Sequence, residues 1–520
     1  GTDTLGSRSV AVGHSALNNQ NFTTATQTYN TAVGFFAGLA VTTGIQNTLI
    51  GGEAGDALTT GSQNVAVGAF ALTSETTSAN NVAIGREALK TQDGATHNVA
   101  VGRTAGSLVT TGSRNTFLGS QSGTATTTGE RNIAVGYDSL GSNTKANKNV
   151  AVGESALYAL NLTTSTDSFN TAVGHHAGVR MTVGTINTLV GGQSGEDLTT
   201  GDSNVAVGYL ALSSDTQGDG SVAIGAGALK TANLTTSQGS LNVAVGYNAG
   251  AAVTGARANT LIGYEAGTSL TSGNSNTVLG YTALGSDTLG DRAVAIGVGA
   301  LGAQNFTTAT DNYNVAIGHN AGTAVTTGTN NTIIGGLAGN DITTGTSNVV
   351  IGKGTDTTGA TVSQAIVIGE SVTGAANTVT FGSSSNKITS TFVGTPNWAH
   401  SSDQRLKKNI QNLPLGLSFI NDLRPVIYNW KGNHELDSSD AELAHLYEEN
   451  AENNVFDTTT TQWGFVAQEV KTALDAAGVS DWDGWSEDEH GVQRLAHTAL
   501  VEPLVKAIQE LTARVAALES

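Results

Sequence analysis

The chain of 520 residues carries a net charge of −19, 67 glycines, one methionine and no cysteine. Without cysteine, neither a disulfide framework nor a thiolate metal site can form, and no apolar run approaches the roughly 20 residues of a membrane-spanning helix. The acidic balance disfavours a nucleic-acid backbone, which calls for clustered Lys and Arg, and suits the solubility of a long assembly.

A five-residue phrase, Asn64-Val65-Ala66-Val67-Gly68, returns along most of the chain. Its closing glycine stands at Gly13, Gly34, Gly51, Gly68 and onward to Gly369, at intervals of 17 residues except for four of 21. A fixed period of this size marks a stack of coils. The residue before the glycine is always Val, Ile or Leu, and Val, Thr or Ile stands two positions earlier. Alternation with period two is strand spacing, and we expect the column before the glycine to form the core. The residue between them is mostly Ala, so the opposite face is small, and we expect it to turn towards an axis shared by several chains. Asn stands four before the glycine in 17 of 21 copies, where stacked amides can form ladders along the axis.

A second motif, Ala-Leu or Ala-Gly, follows three residues after the glycine and ends at Leu17, Gly38, Gly55 and Leu72, so the full unit is four coils. The 21-residue coils carry related insertions beginning at Asn21, Asn161, Asn233 and Asn305, which map to one face. The opening Gly1-Thr2-Asp3 lies mid-repeat, and a longer fibre is expected upstream. With coils about 4.8 Å apart, the stack makes a rod of roughly 100 Å.

Phrases such as Ser221-Val222-Ala223-Ile224-Gly225 resemble the head repeats of trimeric autotransporter adhesins. The resemblance covers residues 1 to about 382 and implies a left-handed parallel β-roll assembled as a homotrimer. The coils here are longer than the usual head repeat.

Composition changes near residue 390. All five tryptophans and all four prolines lie beyond it, in a stretch of ordinary globular composition. Residues 383–401 read as a neck and 402–520 as a second domain. Within the latter, 431–462 is a polar, acidic excursion with a short helix expected over 441–450. The tail places Val501, Leu504, Ile508, Leu511, Val515 and Leu518 at spacings of 3, 4, 3, 4 and 3, a heptad seam.

Three phrases in this region, Ser402-Asp403-Gln404-Arg405-Leu406-Lys407, Gly464-Phe465-Val466-Ala467-Gln468-Glu469-Val470 and Leu504-Val505-Lys506-Ala507-Ile508-Gln509-Glu510-Leu511, resemble the C-terminal intramolecular chaperone of phage tail fibres, tailspikes and endosialidases. The resemblance implies a domain that helps three chains assemble and then cuts itself away between Ser402 and Asp403, with Ser402 as nucleophile and Lys407 as base. A lysine near 10.4 is protonated at neutral pH, so Lys407 must be desolvated to serve. On the residues alone, Ser and Lys five apart also read as an exposed basic turn. Lys408 is the adjacent competitor, and Ser401 takes the place of Ser402 if the register slips.

The expected fold class is therefore mainly β: a trimeric left-handed parallel β-roll shaft of 17-residue coils over 1–382, then a small α+β chaperone domain ending in a coiled-coil helix. The expected function is a trimeric fibre of a phage tail, bound to a host-surface receptor, with a glycan as one candidate. The only enzymatic activity expected is a single-turnover autoprotease; a bacterial surface adhesin with the same chaperone is the alternative. No membrane insertion, cofactor or metal is expected. His14, His175, His176 and His319 follow repeat glycines singly and read as surface residues, although a trimer would gather them into rings. The recurring Thr59-Thr60-Gly61 pattern raises an ice-binding Thr array as a further alternative, against ordinary turn chemistry.

Overall fold

The computed structural model describes the chain except residues 1–2, 235–238, 393–403, 405–406, 441, 448 and 450–457. It divides into two compact units, Gly1–Ser401 and Ser402–Ser520.

In the first unit each copy of the repeated phrase forms a three-residue strand, such as Val65–Val67, and successive strands pair in parallel. The result is a β-solenoid of about 22 turns. The register is one-to-one: Val65 lies over Val82, Ala66 over Ala83 and Val67 over Ile84. Each sequence column is therefore a physical column. The closing glycine is required by close approach: at Gly68, with φ +130°, a Cβ would lie 2.7 Å from the backbone of Gly85.

The two faces of the strand are the reverse of the expectation. Ala66, Ala83 and Ala100 are fully buried within a single chain, whereas Val12, Leu118 and Ile84 are 57%, 47% and 38% exposed. The Ala column is not an open face awaiting other chains; it is the interior. The coil is narrow, and the space facing the strand is already filled by side chains from the opposite turns, so a methyl group is what most coils admit there.

The same packing explains the four-coil unit. In the coils whose strands carry Ala66 and Ala83, the turn contributes a buried Leu: Leu72 and Leu89 take left-handed φ of 54° and 47° to point inward. Where the strand carries Leu49, two turns in succession are Gly. A Cβ on Gly38 would fall 2.6 Å from one methyl of Leu49, and a Cβ on Gly55 would fall 2.8 Å from the other. Phe117 excludes side chains at Gly106 and Gly123 in the same way. One large residue on the strand replaces two on the turns, at constant core density.

Polar rungs fix the register. Asn64 donates its backbone N–H to Asn47 Oδ1 (3.0 Å) and its side-chain Nδ2 to the carbonyl of Ser78 (3.0 Å), and its own Oδ1 accepts from the N–H of Asn81 (3.0 Å). The expected Asn ladder is thus mainly amide-to-backbone and fully buried. The Thr column is turn chemistry: Thr42 Oγ1 donates to Thr59 C=O (3.2 Å), and Thr59 Oγ1 to Thr76 C=O (2.9 Å). Beside the insertions the core holds acids. Asp287 Oδ1 accepts from the N–H groups of Gly290 and Phe306, and its Oδ2 from Gln304 Nε2 (2.6 Å). The insertions tuck Phe22, Leu162, Leu234 and Phe306 against the stack. At the far end, Lys387–Thr391, within the stretch read as a neck, folds back antiparallel on Thr378–Ser383.

The second unit holds helices α1 (Leu417–Asp422), α2 (Ala467–Ala476) and α3 (Val501–Glu519). Two small antiparallel pairs accompany them, Val426–Tyr428 with Gln462–Gly464 and Trp485–Glu487 with Gln493–Leu495. Leu415, Phe419, Val470, Ala473, Leu474 and Leu500 form its core. Among the described residues of 431–462, the helix expected over 441–450 is a single turn, Ala444–Leu446. No helix among the described residues is long and apolar enough to cross a membrane.

Candidate functional site

The second unit ties its sequence motifs together by side-chain contacts. Glu469, in the first turn of α2, forms a two-pronged ion pair with Arg424, whose Nε donates to Glu469 Oε2 at 3.1 Å and whose Nη2 reaches Oε1. The hydrogen bond from Arg424 holds the Glu469 carboxyl below its ordinary range. Both side chains are largely in water, so the pair sets orientation more than stability.

Glu510 of α3 performs the corresponding task for α1. Its Oε2 accepts the N–H of Leu417 (2.8 Å), the first residue of α1, and its Oε1 lies 3.4 Å from Lys506 Nζ. The Leu417 N–H is the main cause lowering the Glu510 carboxyl below its usual range. This cap needs Gly416, where a Cβ would meet the Glu510 carboxylate at 2.6 Å. Sequence reading missed Arg424, Gly416 and Glu510 as a set. Of the three only Glu510 lies inside one of the quoted phrases, and nothing in its heptad position points to the start of α1.

Helix α3 has two distinct faces. Pro503 and Ala507 are buried, whereas Val501, Leu504, Ile508, Leu511, Val515 and Leu518 are between 44% and 87% exposed. The expected heptad seam is therefore present and uncovered in the single chain.

Ser402 and Asp403, the expected cleavage site, lie outside the described residues. Lys407 is described and exposed, its backbone N–H donating to the carbonyl of Gln404 at 3.1 Å. Its neighbour Lys408 is exposed as well.

Residues 402–479 match the family described as chaperone of endosialidase. No curated protein matches the chain. A β-solenoid of 17-residue coils followed by this domain is the organisation of a tail-fibre-like protein with a C-terminal chaperone. The chaperone family implies assembly into a trimer.

Proposed function

We propose that the chain is the subunit of a trimeric fibre for host attachment, aligned by its C-terminal domain and then released from it by cleavage between Ser402 and Asp403. The observation that carries this reading is apolar surface left uncovered in both units. Along the solenoid, each strand turns two side chains outward: the Val67 column is Val, Ile or Leu in every coil and the Val65 column Val, Ile or Thr, so the two form a mostly aliphatic band of roughly 700 Å² over 21 coils. A monomer rarely exposes a continuous patch above about 600 Å². Three such bands facing one another would bury them, as three α3 seams would bury theirs.

Alignment before closure is what a long parallel stack needs. Every coil pairs with its neighbour at a fixed register, and a slip of one residue would exchange the buried and exposed faces. Helix association is local and fast, whereas pairing of long stacks is slow and exposed to aggregation. A chaperone that gathers three chains first removes that hazard, and its later removal makes assembly irreversible. In the cut, Lys407 as the free amine accepts the proton of the Ser402 hydroxyl as Oγ bonds to the scissile carbonyl carbon, and passes it to the Asp403 nitrogen as the C–N bond breaks; one water then opens the acyl ester, leaving a carboxylate at Ser402 and an amine at Asp403. Once the aliphatic band is shared, the insertions remain as the outward surface for a host receptor, with Tyr29, Phe169 and Tyr313 each about half exposed in three of the same coils.

Intact-mass spectrometry of purified wild type and Ser402→Ala tests this reading. Wild type is expected to yield fragments ending at Ser402 and starting at Asp403, and the variant a full-length chain of unchanged assembly. A wild-type trimer that stays whole on prolonged incubation removes self-release from the proposal.

A further inference from the structure

The turn after each repeat glycine presents side chains to solvent, and two stacked coils bring three of them together. At the first insertion these are His14, Phe35 and Phe36, with the phenyl rings stacked at 3.9 Å and His14 5.5 Å from each. At the next insertion the same three positions are Glu154, His175 and His176. Adjacent side chains on extended backbone point to opposite faces. A left-handed φ of 57° at His176 turns its ring beside that of His175 instead, 3.8 Å away and within 18° of parallel. The 21-residue interval sets Glu154 in the neighbouring coil, with Oε2 3.8 Å from His175 Nε2.

One ligand atom from each of the three residues lies within 4.8 Å of the others, and among the described residues this is the one such cluster of three. Ligands held at 2.0–2.2 Å by a tetrahedral ion stand roughly 3.3 Å apart, so closure asks on the order of 1 Å from side chains that have freedom to rotate. Two neutral imidazoles and one carboxylate are a zinc donor set that leaves a position for water. The third and fourth insertions carry Ala226, Tyr247, Asn248 and Val298, His319, Asn320 there, and do not supply the set.

We propose that Glu154, His175 and His176 bind one divalent transition-metal ion of the zinc class per chain, joining two coils at an insertion. Sequence reading separated these residues because the ligands lie 21 positions apart; the stacking register unites them.

Calorimetric titration of the untagged full-length protein with zinc chloride near neutral pH tests the site. One ion per chain is expected in wild type. His175→Phe and His176→Phe reproduce the side chains already accommodated at Phe35 and Phe36, so the fold should persist, which far-UV circular dichroism checks. Each is expected to weaken binding roughly tenfold or more, as is Glu154→Gln. Absence of uptake by the wild type, or full affinity retained in any of the three variants, overturns the assignment.

Discussion

Replacing Phe117 by Ala probes the exchange of core volume between strand and turn. Phe117 is fully buried, and the change should cost about 3–5 kcal/mol per chain through lost transfer energy and a cavity. Gly106→Leu alone should also destabilise. Its Cβ would stand 2.7 Å from the Phe117 ring at φ +57°, adding overpacking of about 1–3 kcal/mol to a left-handed strain of about 1–2 kcal/mol. Combined, the two changes should partly cancel. The vacated ring space receives the new Leu, which adopts the conformation already held by Leu89 and Leu140, at φ 47° and 53°. The pair is expected to be more stable than the sum of its parts by about 2–3 kcal/mol. Denaturant midpoints followed by far-UV circular dichroism give the cycle. Additivity within about 0.5 kcal/mol would mean that Phe117 and Gly106 do not share one core space.

Asn64→Ala should strand the buried N–H of Asn81 and the carbonyl of Ser78, costing about 2–4 kcal/mol, with amide exchange at Asn81 accelerated beyond that of distant coils. Asp215 stands where Asp287 does, but Ala232 replaces the Gln that pairs with Asp287, and Asp215 Oδ2 has no hydrogen-bond partner among the described residues. Burial raises its carboxyl above the ordinary range. A raised acid binds its proton more tightly when folded, so its contribution is complete below the unfolded value near 3.8 and is lost as pH rises through the folded value. Asp215→Asn is therefore expected to raise the melting temperature at neutral pH, with the gain shrinking as pH falls towards 4; a gain independent of pH contradicts this. Ile508→Asp with Leu511→Asp charges the exposed seam of α3 and should yield monomers or aggregates in light scattering when the shaft must fold anew.

The period, the parallel stack, the Asn column and the heptad seam were legible because each repeats a side-chain type at a spacing that physics ties to one structure. Which strand face lies inside was not. Period two separates Val65 and Val67 from Ala66 but does not say which side the coil closes over. The deciding information sat elsewhere in the repeat: Leu49 on the strand coincides with Gly38 and Gly55 on the turns, a compensation that makes sense only if all three share one interior. In the chaperone unit, Glu510 could be placed in a heptad but not at the start of α1, because that contact spans 93 residues. The expected dyad fares differently: Lys407 is described and exposed, whereas Ser402 lies outside the described residues.

The central claim is that three chains meet through the outward aliphatic band. Ile84 and Leu118 lie in it, 38% and 47% exposed, so lysine at both positions stays solvated in a single chain and should leave the coil intact. In a shared core the same lysines would be buried as like charges. The decisive measurement is the light-scattering mass of Ile84→Lys/Leu118→Lys beside wild type. The account expects three chains for wild type and one for the variant, with unchanged β-sheet circular dichroism; a variant that keeps the three-chain mass contradicts it.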